Sequence, residues 1–174
     1  QLPFSLLYQG QLQNNITLTN SGVVTFNSVT FFTNTNSAIS STTVNGFFTH
    51  WDALQSSGGS VYTQIVGAAP NRKFIVQWNS PLVLNATNKI NVQLVIEEAT
   101  QEIYFVYEDV NHNNVSYNNG LYAESGARGT NQNINVSMYN ATYLTNNSCV
   151  HFYYSNCPKP TNFVVSNPSQ SVKV

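Results

Sequence analysis

The sequence has few charged residues, few cysteines and no long apolar run. Only 7% of its 174 residues are charged, against about 25% in typical soluble proteins. Nucleic-acid binding needs clustered cations at the phosphates, whereas the six Lys and Arg residues here are scattered. No apolar run approaches the ~20 residues of a membrane span. The composition therefore predicts no nucleic-acid partner and no transmembrane segment.

Helical periodicity is also missing, and short alternating segments take its place. The clearest hairpin joins Ile90–Ile96 to Ile103–Tyr107. About ten strands at this spacing predict an all-β fold, an antiparallel sandwich or jelly roll. Turns are predicted around Gly58 and at Gly126–Gly129. The other predicted strands are Ile16–Thr19, Val23–Phe26, Val29–Phe32, Val44–Phe48, Ser60–Val66, Lys73–Asn79, Leu121–Ala123, Ile134–Tyr139 and Val150–Tyr154.

Three segments are predicted along the chain. Residues 12–157 form the sandwich domain, and residues 158–174, which begin with Pro158, form a tail or linker. Residues 1–11 form a terminal strand in which Pro3 favours an edge position. Its alternating face can complete the sandwich of a neighbouring copy, because a donated strand is recognised by its backbone and alternate side chains. The self-assembly residues of this candidate donor strand are Leu2, Phe4, Leu6 and Tyr8.

Asn, Thr and Ser form the polar surface that charged residues provide elsewhere. The chain has six Asn-X-Ser/Thr sequons, none with Pro in the middle position, and they predict a secreted protein with N-linked glycans. The acceptors are Asn15, Asn85, Asn114, Asn135, Asn140 and Asn146. The only two cysteines, Cys149 and Cys157, predict one disulfide in an oxidising compartment. Two unpaired buried thiols are the alternative.

Four residue groups were considered as chemical sites, and none predicts a catalytic residue or a cofactor. His50 and Asp52 lie on one side of a strand and could share a metal, although no third ligand is evident. Glu97 and Glu108 could face each other as glycosidase carboxylates do, but solvated side chains on a sheet face are more common.

The other two groups would bind calcium or sugars. The loop oxygens of Asp109, Asn111, Asn113 and Asn114 have calcium-like spacing but lack an EF-hand's glycine and distal glutamate. Ten Tyr and two Trp residues could provide a sugar-stacking platform, although such residues more often pack in a core.

Five motifs carry a resemblance to a known family. They are Val44-Asn-Gly-Phe-Phe, Trp51-Asp, Gly59-Ser-Val-Tyr, the segment from Pro70 to Trp78, and Glu102-Ile-Tyr-Phe-Val-Tyr. Over residues 26–107 the sequence resembles a β-sandwich module of microbial cell-surface proteins, related to the nidogen-type extracellular domain. This resemblance implies an adhesive or matrix role without catalysis.

Two looser resemblances concern the tail and the composition. The segment Cys157-Pro-Lys-Pro-Thr-Asn-Phe-Val-Val-Ser resembles the first strand of a fibronectin type III domain, which would continue beyond Val174. Low charge, dense sequons and an alternating terminus resemble subunits of archaeal thread or bundling pili, in which a terminal strand completes the next subunit.

These observations predict a non-enzymatic extracellular glycoprotein that polymerises with itself by strand donation. The alternative is an adhesion or carbohydrate-binding module of a larger surface protein, with surface polysaccharides as partners. Both alternatives place the chain outside the cell or on its surface.

Overall fold

The computed structural model is an antiparallel β-sandwich, which confirms the predicted fold class. It describes residues 1–28, 38–39, 44–54, 58–82, 85–130, 132–138 and 140–154, with the backbone alone at 85–87. Ten of the described strands form two five-stranded sheets, and two more form a separate ribbon near the N-terminus. No described helix is long and apolar enough to span a bilayer.

The strands follow the predicted order closely. Their bounds are β1 Leu6–Tyr8, β2 Gln11–Gln13, β3 Thr17–Leu18, β4 Val23–Thr25, β5 Gly46–Trp51, β6 Ser60–Val66, β7 Lys73–Leu82, β8 Asn85–Glu97, β9 Ile103–Asp109, β10 Glu124–Arg128, β11 Asn133–Ser137 and β12 Ser148–Phe152. One short 3₁₀ helix, Asn118–Gly120, lies between β9 and β10.

One sheet, here called the long-strand sheet, has the order β12-β9-β8-β7-β6. Its inner face is apolar and its outer face is polar, as the strict alternation of β8 and β9 predicts. The inner side chains of these two strands are almost fully buried: Ile90, Val92, Leu94, Ile96, Ile103, Phe105 and Tyr107. They are 7 of the 20 buried residues described in the main core cluster between the sheets.

The other sheet, here called the short-strand sheet, has the order β11-β10-β5-β4-β3. Every residue of its β5 is buried, because a second apolar cluster adds to the core at this strand. That cluster comprises Val23, Ile39, Phe48 and Trp51. The sequence predicted that β5 would end at Phe48, before His50 and Trp51, and this is wrong because the strand continues through both residues.

A second correction concerns β10. Leu121–Ala123 was predicted to be a strand and Gly126–Gly129 a turn, whereas the strand is Glu124–Arg128 and the preceding residues form a turn. Small residues occur here because neighbouring backbones approach closely. A Cβ atom on Gly126 would lie 2.0 Å from the carbonyl oxygen of Ile134 on β11.

Polar contacts join the two sheets across the core. Trp78 on β7 donates its indole N–H to the carbonyl of Thr19, beside β3, at 2.8 Å. Tyr107 on β9 and Ser125 on β10 share a buried hydroxyl–hydroxyl hydrogen bond of 2.5 Å. Buried polar groups need such partners, so these contacts help to fix how the sheets pack.

Some predictions fall on residues outside the described ranges. They include the strand Val29–Phe32, Cys157, the tail 158–174 and the side chain of Asn85. Cys149 is an exposed free thiol on β12, and its pairing with Cys157 stays a prediction.

Candidate functional site

The N-terminal segment Gln1–Tyr8, here called the arm, packs against its own chain. Leu2, Phe4 and Leu6 are buried in the main core, and Tyr8 packs beside them. Leu7 faces away and is 39% exposed. The alternation that predicted a donor strand therefore corresponds to side chains that pack in the core of the same chain. The self-assembly role of these residues stays a prediction.

Two side chains hold the middle of the arm where a neighbouring strand would otherwise pair. Gln101, in the β8–β9 turn, accepts a hydrogen bond from the Leu7 N–H at 2.7 Å and donates one to the Ser5 carbonyl at 3.3 Å. Tyr154 donates its hydroxyl to the Leu7 carbonyl and accepts the Gln9 N–H at 3.3 Å. A side-chain amide with both a donor and an acceptor can thus substitute for a strand backbone.

The rings of Phe4 and Tyr8 in the arm contact cationic and aromatic groups. The Arg72 guanidinium lies 5.5 Å from the centre of the Phe4 ring, within cation–π range. Arg72 also donates to both carboxylate oxygens of Glu98, at 2.8 and 2.6 Å, and these bonds hold the pKa of Glu98 below its usual range. The Tyr8 ring packs 5.0 Å from Phe26 and 5.0 Å from Phe47.

Strand β6 is the exposed edge of the long-strand sheet near the start of the arm. All of its residues except Val61 are exposed to solvent. Tyr62, Ile65 and Val66 are 56%, 53% and 43% exposed. A groove of about 420 Å³ separates β6 from the arm, with Leu2, Pro3, Ile65 and Phe74 among its lining residues. Here the structure combines unpaired backbone with exposed apolar side chains.

His50 and Asp52 are buried in the short-strand sheet, where His50 faces His112 with ring centres 6.1 Å apart. Burial lowers the pKa of His50 to about 3, with the neighbouring His112 as a second cause. Burial also lowers the pKa of His112 to about 4 and raises that of Asp52 to about 6.

The alternative of a metal site shared by His50 and Asp52 gains no third ligand among the described residues. Asp52 accepts a hydrogen bond from the Ala53 N–H at 2.7 Å. The described residues contain no group of three or more His, Cys, Asp or Glu side chains arranged to hold a metal. We therefore interpret the histidines as core residues.

Glu97 and Glu108 do not face each other, so the glycosidase alternative is contradicted. Glu97 lies at the turn end of the β8–β9 hairpin, where its backbone bonds to Glu102. Glu108 lies near the other end, and its carboxylate accepts a hydrogen bond from Asn91 at 2.6 Å. The antiparallel register separates the two residues along the strands, and Glu97 instead pairs with Lys73 at 2.6 Å.

The other two candidate groups mostly have structural contacts. In the loop after β9, Asp109 Oδ1 accepts the Asn111 N–H, and Asn114 Oδ1 accepts the Ser116 N–H. Both tryptophans, Trp51 and Trp78, are almost fully buried. A sugar platform built on either tryptophan is therefore contradicted.

The sequon asparagines with described side chains lie at or near the surface. Asn15, Asn135, Asn140 and Asn146 are exposed, and Asn114 is partly exposed. The amide nitrogen of Asn146, which a glycan would modify, donates to Asp109 Oδ1 at 3.0 Å. Glycosylation of all these residues stays a prediction.

Sequence reasoning missed the residues that hold the arm. Gln101, Tyr154 and Arg72 lie in polar turns or after the last described strand, and nothing in their local pattern signals a distant partner. The exposed edge was not foreseeable either, because Ser60–Val66 lacks the charged residues and proline that mark many natural edge strands.

Comparison with known proteins gives one match. No curated protein and no solved structure matches the chain. The family model described as "NIDO related" matches residues 1–164, a wider range than the resemblance over residues 26–107. This family indicates an extracellular module of a non-catalytic type. Since the match covers most of the chain, the protein belongs to the NIDO-related family.

Proposed function

We propose that this protein is a structural subunit of an extracellular filament, in which each copy inserts its arm into the next copy. The observation that carries the proposal is how the arm is held: alternate side chains enter the core, and Gln101 and Tyr154 bind its backbone. Donated segments are recognised in the same way, by backbone hydrogen bonds and alternate pockets.

Exchange between copies needs no new surface. The arm is held by the main core, Gln101 and Tyr154, and this binding surface is here called the seat. The seat can hold the identical arm of a neighbouring copy, so segment exchange is a low-cost route to association. When each copy gives its arm to one neighbour and receives one from another, the contact is heterologous and can continue as a filament.

Surface glycans belong to the same proposal. The exposed acceptors Asn15, Asn135, Asn140 and Asn146 would provide the solvation that a chain with 7% charged residues lacks. A loss of mass on enzymatic deglycosylation of native material would support this part, and an unchanged mass would contradict it.

Deleting residues 1–9 tests the arm. Electron microscopy of the full-length chain should show filaments, and the deleted chain should show none. A synthetic peptide of residues 1–9 should refill the seat and restore thermal stability without restoring filaments, which separates a folding defect from an assembly defect. Filaments that persist after the deletion would overturn the proposal. A full-length chain that stays monomeric would also contradict it, and would favour the adhesion-module alternative.

A further inference from the structure

Among the described strands the two sheets have four edges, and an unpaired edge is a template for pairing with another chain. The edges of the short-strand sheet are β3 and β11, and those of the long-strand sheet are β12 and β6. Three of them coincide with a sequon. Thr17 in β3 completes the Asn15 sequon, Asn135 lies in β11, and Ser148 in β12 completes the Asn146 sequon.

Strand β6 is the edge that differs. It contains no asparagine, charged residue or proline. Its pairing with β7 runs from Ser60 to Val66 without a register shift, so no bulge twists it away from an approaching strand. Charges, prolines and bulges block edge-to-edge pairing, and a bulky glycan on an edge would obstruct it in the same way. Strand β6 has none of these features.

We propose that β6 pairs antiparallel with β6 of a second copy, about a two-fold axis at Thr63. The two five-stranded sheets would then join into one continuous sheet. With Thr63 on the axis, all seven residues of the strand find partners. Moving the axis by one residue in either direction leaves two residues of each strand unpaired, so the central register is preferred.

The side chains complement one another in this register. On the inner face, Ile65, which is 53% exposed, meets Val61 of the second copy and extends the apolar face. On the outer face, Tyr62, which is 56% exposed, meets Gln64 of the second copy. Cross-strand pairs of this kind stabilise a sheet.

Charge also favours a second copy as the occupant. No like charges meet in the pair, because β6 carries none. Lys73, opposite Val66 on β7, is already paired with Glu97 at 2.6 Å. The contact is isologous and closes on itself, so it is distinct from arm exchange and does not depend on it.

Charges placed on the axis test this register directly. Thr63 is exposed, so Thr63→Lys and Thr63→Glu should fold normally, which circular dichroism can check. In a dimer of either variant alone, the two copies place identical charges opposite each other at residue 63, and these charges repel. Sedimentation of the full-length chain should show a dissociation constant at least about tenfold higher for each variant than for the wild type.

An equimolar mixture of the two variants should restore dimers, because opposite charges then meet on the axis. Val115→Lys is the matched control, because it adds the same charge to a side chain that is 88% exposed outside β6, and it should leave dimerisation unchanged. A wild-type chain that is monomeric at millimolar concentration would overturn the proposal. So would dimers that resist both Thr63 variants, or a mixture that does not recover. Arm exchange alone predicts association that requires residues 1–9 and is insensitive to charge at Thr63.

Discussion

The two sheets bury their residues in different ways. The long-strand sheet packs one face on the core and turns the other, with polar residues such as Gln93 and Glu108, towards water. The short-strand sheet encloses β5 completely and includes buried titratable groups, His50 and Glu124 among them. A strand with one wet face keeps a two-residue period in its sequence, whereas a strand buried throughout loses it.

The difference also concerns what holds each sheet in place. Side-chain packing dominates the long-strand sheet, where β7, β8 and β9 together provide 11 of the 20 buried residues described in the main core cluster. Close backbone contact is important in the short-strand sheet, where Cβ atoms on Gly22, Gly46 and Gly126 would each lie 2.0 to 2.1 Å from a carbonyl oxygen. We therefore expect the short-strand sheet to be the more sensitive to small changes.

The largest expected effect is that of Gly22→Ala. Gly22 has φ +81°, and an added Cβ would lie 2.0 Å from the carbonyl oxygen of His50 on β5. Left-handed strain and a backbone clash together should lower the free energy of unfolding by about 3 to 5 kcal/mol. Urea denaturation measures the loss.

Gly58→Ala is the matched control for Gly22→Ala. Gly58 has a similar φ of +78°, but no atom in the described part of the chain lies within 4 Å of its added Cβ. Its cost should be limited to the left-handed backbone, about 1 to 2 kcal/mol. Equal losses in the two variants would show that close packing adds nothing at Gly22.

Acid should act mainly through the buried groups at and around the end of β5. His50 and His112 have folded-state pKa values of about 3 and about 4, below the ordinary 6.5, so below pH 6.5 the unfolded chain binds more protons and stability falls as pH falls. Asp52, with a pKa raised from 3.8 to about 6, acts in the opposite sense as pH falls through 6. Between pH 7 and pH 5, each histidine should lower the free energy of unfolding by about 2 kcal/mol, and Asp52 should raise it by about 1 kcal/mol. The net decrease in the free energy of unfolding is therefore about 3 kcal/mol.

Two substitutions separate the opposing contributions. His50→Gln should reduce the loss between pH 7 and pH 5 by about 2 kcal/mol, and Asp52→Asn should increase it by about 1 kcal/mol. Urea titrations at the two pH values measure both changes. Parallel pH profiles for the wild type and both variants would contradict the assignment.

A small effect is expected for one of the hydrogen bonds that join the sheets. Tyr107→Phe leaves the buried Ser125 hydroxyl without its 2.5 Å partner, and should lower the free energy of unfolding by about 1 to 2 kcal/mol. Adding Ser125→Ala removes the unpaired group, so the double variant should lose less than the sum of the single losses. Strict additivity would mean that the hydroxyls are not coupled.

The contrast between the sheets also explains how far sequence predicted the fold. Ile90–Ile96 and Ile103–Tyr107 were located correctly because their outer residues face water and preserve alternation. The sequence pattern does not extend β5 to His50 and Trp51, and it predicts a turn at Gly126, because burial throughout the strand and close backbone contact remove the usual alternation. Glycine in a strand and glycine in a turn look alike without knowledge of the neighbouring backbone.

The candidate site was predictable only in part. Alternation at Leu2, Phe4, Leu6 and Tyr8 identified the face of the arm that enters a core. It did not indicate whether that core belongs to the same chain or to a neighbouring copy. It also did not reveal Gln101 or Tyr154, which lie 94 and 147 residues from the Leu7 backbone they bind. Contacts between residues so far apart in sequence depend on the whole fold, so a local sequence pattern does not predict them.

The positions of the tryptophans have a spectroscopic consequence. The chain has two tryptophans, Trp51 in the short-strand sheet and Trp78 in the long-strand sheet, and both are shielded from water. Their fluorescence should therefore shift to longer wavelength as each environment opens. Variants that keep one tryptophan at a time would report on each sheet separately, and would show whether the two sheets unfold in one transition or in succession.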